Sequence, residues 1–200
     1  YIKLCDNNME KLKQYIDNDV LEVKKINKNN VSKQTIYNFI KRNHMEKVGP
    51  GIYIMPNALE DEMYTLSLRC PNGVISHDDA LYYYGLMNRE PIKHTLTIYT
   101  GYKPTLLTNS GYKIYTIKKD LLYLGKSSVV NQFGHKVPMY DLERTICDLV
   151  RSRSNFEIQD YSFAIKSYAK RSDKDLNRLM TYAKALKVDK KLQEYLEILL

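Results

Sequence analysis

The sequence is poor in the features that organise secreted, membrane-spanning or metal-dependent proteins. It has three cysteines, Cys5, Cys70 and Cys147, far apart and odd in number. No CxxC and no Cys/His cluster at zinc spacing is present, which argues against a disulfide framework and a zinc site. The three thiols are expected to be reduced and to pack as small hydrophobes in a cytoplasmic protein. No run approaches the roughly 18 apolar residues of a membrane span. The opening Tyr1-Ile2-Lys3-Leu4-Cys5-Asp6 lacks the hydrophobic core of a signal peptide. It also lacks an initiator methionine, so the chain is expected to have been trimmed or to begin after missing residues. Internal repeats and low-complexity stretches are absent.

Catalytic patterns are scarce as well. Gly125-Lys126-Ser127 has the end of a phosphate-binding loop but lacks its first glycine, because Asp120 stands there. No Gly-Ser turn with a spaced acid pair is present, as a nucleotidyltransferase would need. Asp78 and Asp79 are adjacent and diverge rather than converge on one ion. Asp141 is followed by Glu143-Arg144-Thr145, with threonine where a nuclease Glu-x-Lys triplet needs lysine. His77 reads as packing near the start of a helix, and Arg144 and Asp148 read as an i, i+4 pair worth a few tenths of a kcal/mol. Nothing brings a nucleophile, a base and an orienting group together. No catalytic residue, metal site or cofactor is expected.

What remains is ordinary globular composition over 200 residues, 44% hydrophobic and 27% charged, enough for one large domain or two small ones. Lys and Arg number 31 against 23 Asp and Glu, a net charge of +8 that favours a polyanionic partner. The first 57 residues hold ten of those cations and six of the acids, so the basic excess is concentrated there. Pro56-Asn57 marks a plausible boundary between domains 1–57 and 58–200.

Three short helices and a hairpin are readable before that boundary. Leu12, Tyr15 and Ile16 fall at the spacing of an apolar helical stripe. Asp19 followed by Glu22 has the form of a capping box opening a second helix that buries Val20, Val23 and Ile26. Asn27-Lys28-Asn29-Asn30 is a polar turn. Ser32 starts a third helix, with Val31 and Ile36 placed as a hydrophobic staple. The β-prone runs around Gly49-Pro50-Gly51 form a hairpin. That order is the order of a winged helix-turn-helix. The fold class expected is α+β: an N-terminal winged helix-turn-helix, then a mixed α/β domain with a helical C-terminal cap.

The third helix is the expected reading head. At about 100° per residue, Lys33, Gln34, Tyr37, Asn38 and Lys41 share an arc of about 140°, and Ile36, Phe39 and Ile40 share the opposite one. Asn and Gln suit an adenine edge, and Lys suits guanine or phosphate. Ser32, Thr35 and Arg42 at the margins, and Lys47 on the hairpin, are placed for phosphate.

The second domain reads as a helix from Glu60 to Arg69, a strand at Val74-Ile75-Ser76, a helix from Asp79 to Leu86 capped by Ser76 or Asp78, and strands at Thr95–Tyr99 and Tyr112–Ile117. A hairpin with its turn near Gly134 and a helix starting at Asp141 follow. Three amphipathic helices close the chain, the last two started by Ser172 and Asp189. Nine cations against three acids lie between Phe163 and Lys191. Lys166, Lys170, Arg171, Lys174, Arg178 and Lys184 are the candidates there for a second anion-binding surface.

Two segments carry a family likeness. Val74-Ile75-Ser76-His77-Asp78-Asp79-Ala80-Leu81-Tyr82-Tyr83-Tyr84-Gly85-Leu86 resembles the strand-to-helix signature of the AbiEi antitoxins. Val137-Pro138-Met139-Tyr140-Asp141-Leu142-Glu143-Arg144-Thr145-Ile146-Cys147-Asp148-Leu149 does so too, and Gly49-Pro50-Gly51-Ile52-Tyr53 is similar to the family's winged-helix hairpin. The resemblance implies a bacterial abortive-infection antitoxin of a type IV toxin–antitoxin system. Its N-terminal domain would bind operator DNA and repress the shared operon, over repeated half-sites. Its C-terminal domain would oppose AbiEii, a toxin with a nucleotidyltransferase-like fold, without a stable complex. The alternative is a nucleic-acid-processing nuclease or transferase that uses residues around His77, Asp141 and Asp148 behind a winged-helix targeting domain.

Overall fold

The computed structural model describes residues 10–26, 31–103 and 105–199. The protein is α+β, and its chain divides into two compact units, Tyr1–Arg69 with Val130–His135, and Cys70–Val129 with Lys136–Leu200.

In the first unit a helical turn at residues 10–13 leads to β1 (Ile16–Asp17) and β2 (Val20–Glu22), then a 3₁₀ turn at Val23–Lys25. There follow α1 (Lys33–Arg42), β3 (Glu46–Gly49) and β4 (Ile52–Ile54). The four strands form an antiparallel sheet in the order β1-β2-β4-β3. Leu12, Leu21, Ile26, Val31, Ile36, Phe39, Ile40 and Met45 pack together beneath α1 as the core.

This corrects two expectations. Ile16 ends no helix, because it pairs with Leu21 across β1 and β2. The capping box at Asp19 opens no helix either. Asn18 and Asp19 both take positive φ, 40° and 66°, and form the two-residue loop of a hairpin whose twist matches that of its strands. Asx residues serve helix caps and left-handed turns equally well, and the buried β-branched Val20 decides for the strand. The expected turn at Asn27–Asn30 and Cys5 lie outside the described residues.

The first unit also runs past Pro56-Asn57, which is a turn but not its end, through α2 (Glu62–Arg69). Asp61 explains why. Its Oδ1 accepts the Tyr64 N–H at 2.9 Å, capping α2, and its Oδ2 accepts from Asn131 Nδ2 at 2.6 Å and faces His135 Nδ1 at 2.7 Å. The His135 ring stacks on Tyr64 at 3.9 Å, and the Tyr64 hydroxyl donates to Glu22 Oε1 at 3.2 Å. Burial alone would raise the Glu22 carboxyl, but the Lys25 and Lys24 ammonium groups at 2.5 and 3.1 Å hold it below its ordinary value.

The second unit contains β5 (Val74–Ile75), α3 (His77–Tyr83), β6 (Thr95–Tyr99), α4 (Thr105–Asn109), β7 (Lys113–Ile117), β8 (Lys126–Val130) and β9 (Lys136–Tyr140). Its sheet order is β7-β6-β5-β9-β8, with β5 antiparallel to β6 and parallel to β9, and β6 parallel to β7. Then come α5 (Leu142–Arg151), α6 (Ile158–Ala169), α7 (Leu176–Leu186) and α8 (Asp189–Leu199). The hairpin expected around Gly134 and the closing helices are present. However, α3 starts two residues earlier than its pattern suggests, and α7 is capped by Asp175 rather than Ser172.

α5 is the pivot of this unit. Asp141 caps it, its Oδ1 accepting the Arg144 N–H at 2.8 Å and its Oδ2 accepting from the Tyr182 hydroxyl at 3.0 Å. Every residue from Leu142 to Val150 is buried against α3, α6, α7 and α8. Gly125 shows how closely α5 is packed. It has φ +72°, and a Cβ there would lie 2.5 Å from the Arg144 Cβ. Gly125→Ala is expected to destabilise by about 1–3 kcal/mol through overpacking and left-handed strain, read as a lower urea midpoint. Among the described residues no helix is long and apolar enough to cross a membrane.

Candidate nucleic-acid interface

α1 has the two faces its sequence dictates. Ser32 caps it, its Oγ accepting the Thr35 N–H at 3.1 Å and lying 2.9 Å from Thr35 Oγ1. Ile36, Phe39 and Ile40 are buried. Lys33, Gln34, Tyr37, Asn38, Lys41 and Arg42 are exposed, Tyr37 at 61% of its surface, and Thr35 is half-buried at the margin. The structure therefore places the sequence-derived residues on one open face, and neither Lys33 nor Lys41 has an ion-pair partner among the described residues.

Gln34 Nε2 donates to Asn38 Oδ1 at 2.9 Å. This i, i+4 bond leaves the Asn38 amide hydrogens and the Gln34 carbonyl for a ligand. A two-point contact from Asn38 to adenine uses the second lone pair of Oδ1 and the free Nδ2 hydrogens, so the bond from Gln34 can hold Asn38 in place while it reads the base.

The hairpin is anchored to the end of this helix. Asn43 Nδ2 donates to Phe39 O at 2.8 Å, His44 turns the chain at φ 51°, and the Met45 N–H returns to Ile40 O at 3.0 Å. Gly51 closes the β3–β4 loop at φ 72°, a conformation that glycine adopts without strain. Lys47 is exposed beside exposed Glu46, so the hairpin adds little net charge.

The candidate surface in the tail is less uniform. Lys166, Lys170 and Lys184 are exposed. Arg171 instead grips Asp173 with two hydrogen bonds of 2.7 Å and donates to Tyr84 O at 2.8 Å. Lys174 Nζ donates to Arg171 O at 2.9 Å, and Arg178 lies 3.5 Å from Asp175 and 3.8 Å from Glu143. These three side chains tie the helical cap together.

The residues of the enzyme alternative occupy structural positions. His77 is fully buried, stacked on Tyr115 at 3.4 Å, with Nδ1 2.9 Å from Ser76 Oγ and Nε2 3.1 Å from Ser152 Oγ. Burial pushes its pKa down to about 3, and the Asp148 charge offsets only part of that. Asp148 and Arg144 are fully buried against one another, and Asp141 is spent on its cap. Gly125-Lys126-Ser127 enters a strand, with Gly125 O accepting the Asp141 N–H at 2.8 Å. Among the described residues no group of three or more His, Cys, Asp or Glu side chains is arranged to hold a metal.

Two buried polar clusters have no signature in the sequence. One joins Asp61 to Asn131 and His135, some 70 positions away, where no local pattern signals the pairing. In the other, Asp79 accepts from the Thr95 hydroxyl at 2.7 Å and faces His94 Nδ1 at 2.6 Å, while Ser76 Oγ lies 2.8 Å from Thr97 Oγ1.

No protein-family model and no curated protein matches the chain. Its fold is similar to the crystal structure of the RV2827C protein from Mycobacterium tuberculosis. The TM-score is 0.62 at 10% sequence identity, over 94% of this chain and 79% of that one.

Proposed function

We propose that the chain is a DNA-binding repressor and antitoxin of the AbiEi type. On this reading the first unit is a winged-helix variant in which the 3₁₀ turn at Val23–Lys25 stands in the place of the second helix, α1 enters the major groove and β3–β4 is the wing. The observation that carries the proposal is the open face of Lys33, Gln34, Tyr37, Asn38 and Lys41 over a fully packed Ile36, Phe39 and Ile40. The second unit would oppose the partner toxin AbiEii in the cytoplasm, a role resting on the two sequence segments that resemble the family.

Protection from footprinting reagents over its own upstream DNA is the expected result, with Asn38→Ala lowering the preference for that site by about 1–3 kcal/mol at one base position. No protected region would overturn the repressor reading. Growth in cells producing both the chain and the toxin is expected, and failure of the chain to rescue growth would overturn the antitoxin reading.

A further inference from the structure

Four lysines, Lys184, Lys187, Lys190 and Lys191, fall where α7 ends and α8 begins, and all four are exposed. The turn that carries them is well fixed. Leu186, Val188 and Leu192 are buried beneath it. The Val188 N–H donates to Ala183 O at 2.9 Å, and the Lys187 N–H donates to Lys184 O at 3.2 Å. Lys187 holds the left-handed position that glycine usually takes at a helix end, with φ 59° and ψ 40°.

Lys184 and Lys187 suit the negative C-terminal end of α7, but the other two lysines run against the local electrostatics. Lys190 and Lys191 sit in the first turn of α8, where the helix end is itself positive and anions are favoured by about 0.3–1 kcal/mol. Asp189 is the acid of that turn. None of the four lysines has an ion-pair partner among the described residues, and Glu194, one turn further along, pairs with neither Lys190 nor Lys191. A bound polyanion would relieve that conflict.

The surroundings narrow the choice of polyanion. Between residues 164 and 197 no large hydrophobic side chain is exposed. Among its described residues from 164 to 197 the surface therefore offers nothing to insert into a membrane, no aromatic platform for unstacked bases and no apolar anchor for a protein partner; Phe163 on α6, 37% exposed, lies outside that stretch. What it offers is clustered, flexible ammonium groups, which suit phosphates in any sequence context.

We propose that the α7–α8 junction is a second, sequence-independent docking point for the phosphate backbone of duplex DNA. The choice of duplex DNA over RNA rests on the proposed function of α1 and not on the cationic cluster, which suits either backbone. The test uses the full chain and a duplex of unrelated sequence, titrated across a range of potassium chloride. Substituting Lys184→Gln, Lys187→Gln, Lys190→Gln and Lys191→Gln together is expected to lower the log–log salt slope by about 0.9 for each phosphate no longer neutralised, roughly 2–4 in all. The matching four-arginine variant is expected to keep the wild-type slope. An unchanged slope in a glutamine variant with wild-type circular dichroism overturns the proposal. So does loss of binding to phosphatidylserine vesicles with DNA binding intact. Lys33→Ala/Lys41→Ala is measured alongside. A slope that falls only there removes the junction from the DNA interface and keeps the α1 reading, and a slope that falls only in the junction variant does the reverse.

Discussion

Asp148→Ala is expected to destabilise the protein by about 3–5 kcal/mol, the range for removing one partner of a buried ion pair. Sequence spacing alone assigns the pair with Arg144 a few tenths of a kcal/mol, the value for an exposed helix surface. Burial changes the scale. Both side chains are fully buried, with Arg144 Nε donating to Asp148 Oδ2 at 3.0 Å and Arg151 reaching Oδ1 at 3.1 Å. Arg144 also donates from Nη1 to Leu121 O and Leu124 O and lies 4.1 Å over the Tyr140 ring. Removing the carboxylate strands a guanidinium whose Nη2 already has no hydrogen-bond partner. Arg144→Met/Asp148→Leu is expected to recover part of the stability, because no charge is then left alone, although two carbonyls are left without their donor. Urea unfolding of the wild type and the two variants checks this. A single substitution costing under about 1 kcal/mol would mean that water reaches the pair.

Acidification supplies the second large effect. His77 is neutral and buried, and its pKa of about 3 lies below its ordinary value of 6.5. The unfolded chain therefore binds the proton more readily. The stabilisation is complete above pH 6.5 and is lost as pH falls from there towards 3, at about 1.4 kcal/mol per unit. Between pH 7 and pH 5 that amounts to about 2 kcal/mol. His77→Asn tolerates the φ of 50° and keeps a polar atom near Ser76 Oγ, but it does not titrate. Urea unfolding at the two pH values is expected to show the wild type losing about 2 kcal/mol more than the variant. Equal losses would show that the imidazole is not held neutral by burial.

The legible parts of the fold are those whose local pattern and tertiary environment agree. α1 follows from Ser32, the Ile36-Phe39-Ile40 stripe and the polar arc opposite. The β8–β9 hairpin follows from Gly134, and α5 follows from the Asp141 cap. The first hairpin is misread from sequence because Asn18 and Asp19 permit both a helix cap and a left-handed turn. Only the pairing of Val20, Leu21 and Glu22 with Ile54, Tyr53 and Ile52 settles which one forms. The unit boundary is hidden for a different reason. Asp61, Asn131 and His135 hold Val130–His135 to the first unit through hydrogen bonds between positions far apart in sequence. Of the candidate site, the α1 residues are readable because exposure on a helix is periodic. The tail is only half readable, since charge counting does not distinguish Arg171, committed to Asp173 and Tyr84 O, from Lys187 in open solvent.

The central claim is that the polar face of α1 binds duplex DNA. Its most direct measurement is the salt dependence of binding to the upstream DNA for the wild type, Lys33→Ala and Lys41→Ala. Each substitution is expected to weaken binding and to reduce the slope by about 0.9, one phosphate apiece. Slopes identical to wild type in both variants would contradict the claim and remove this helix from the interface.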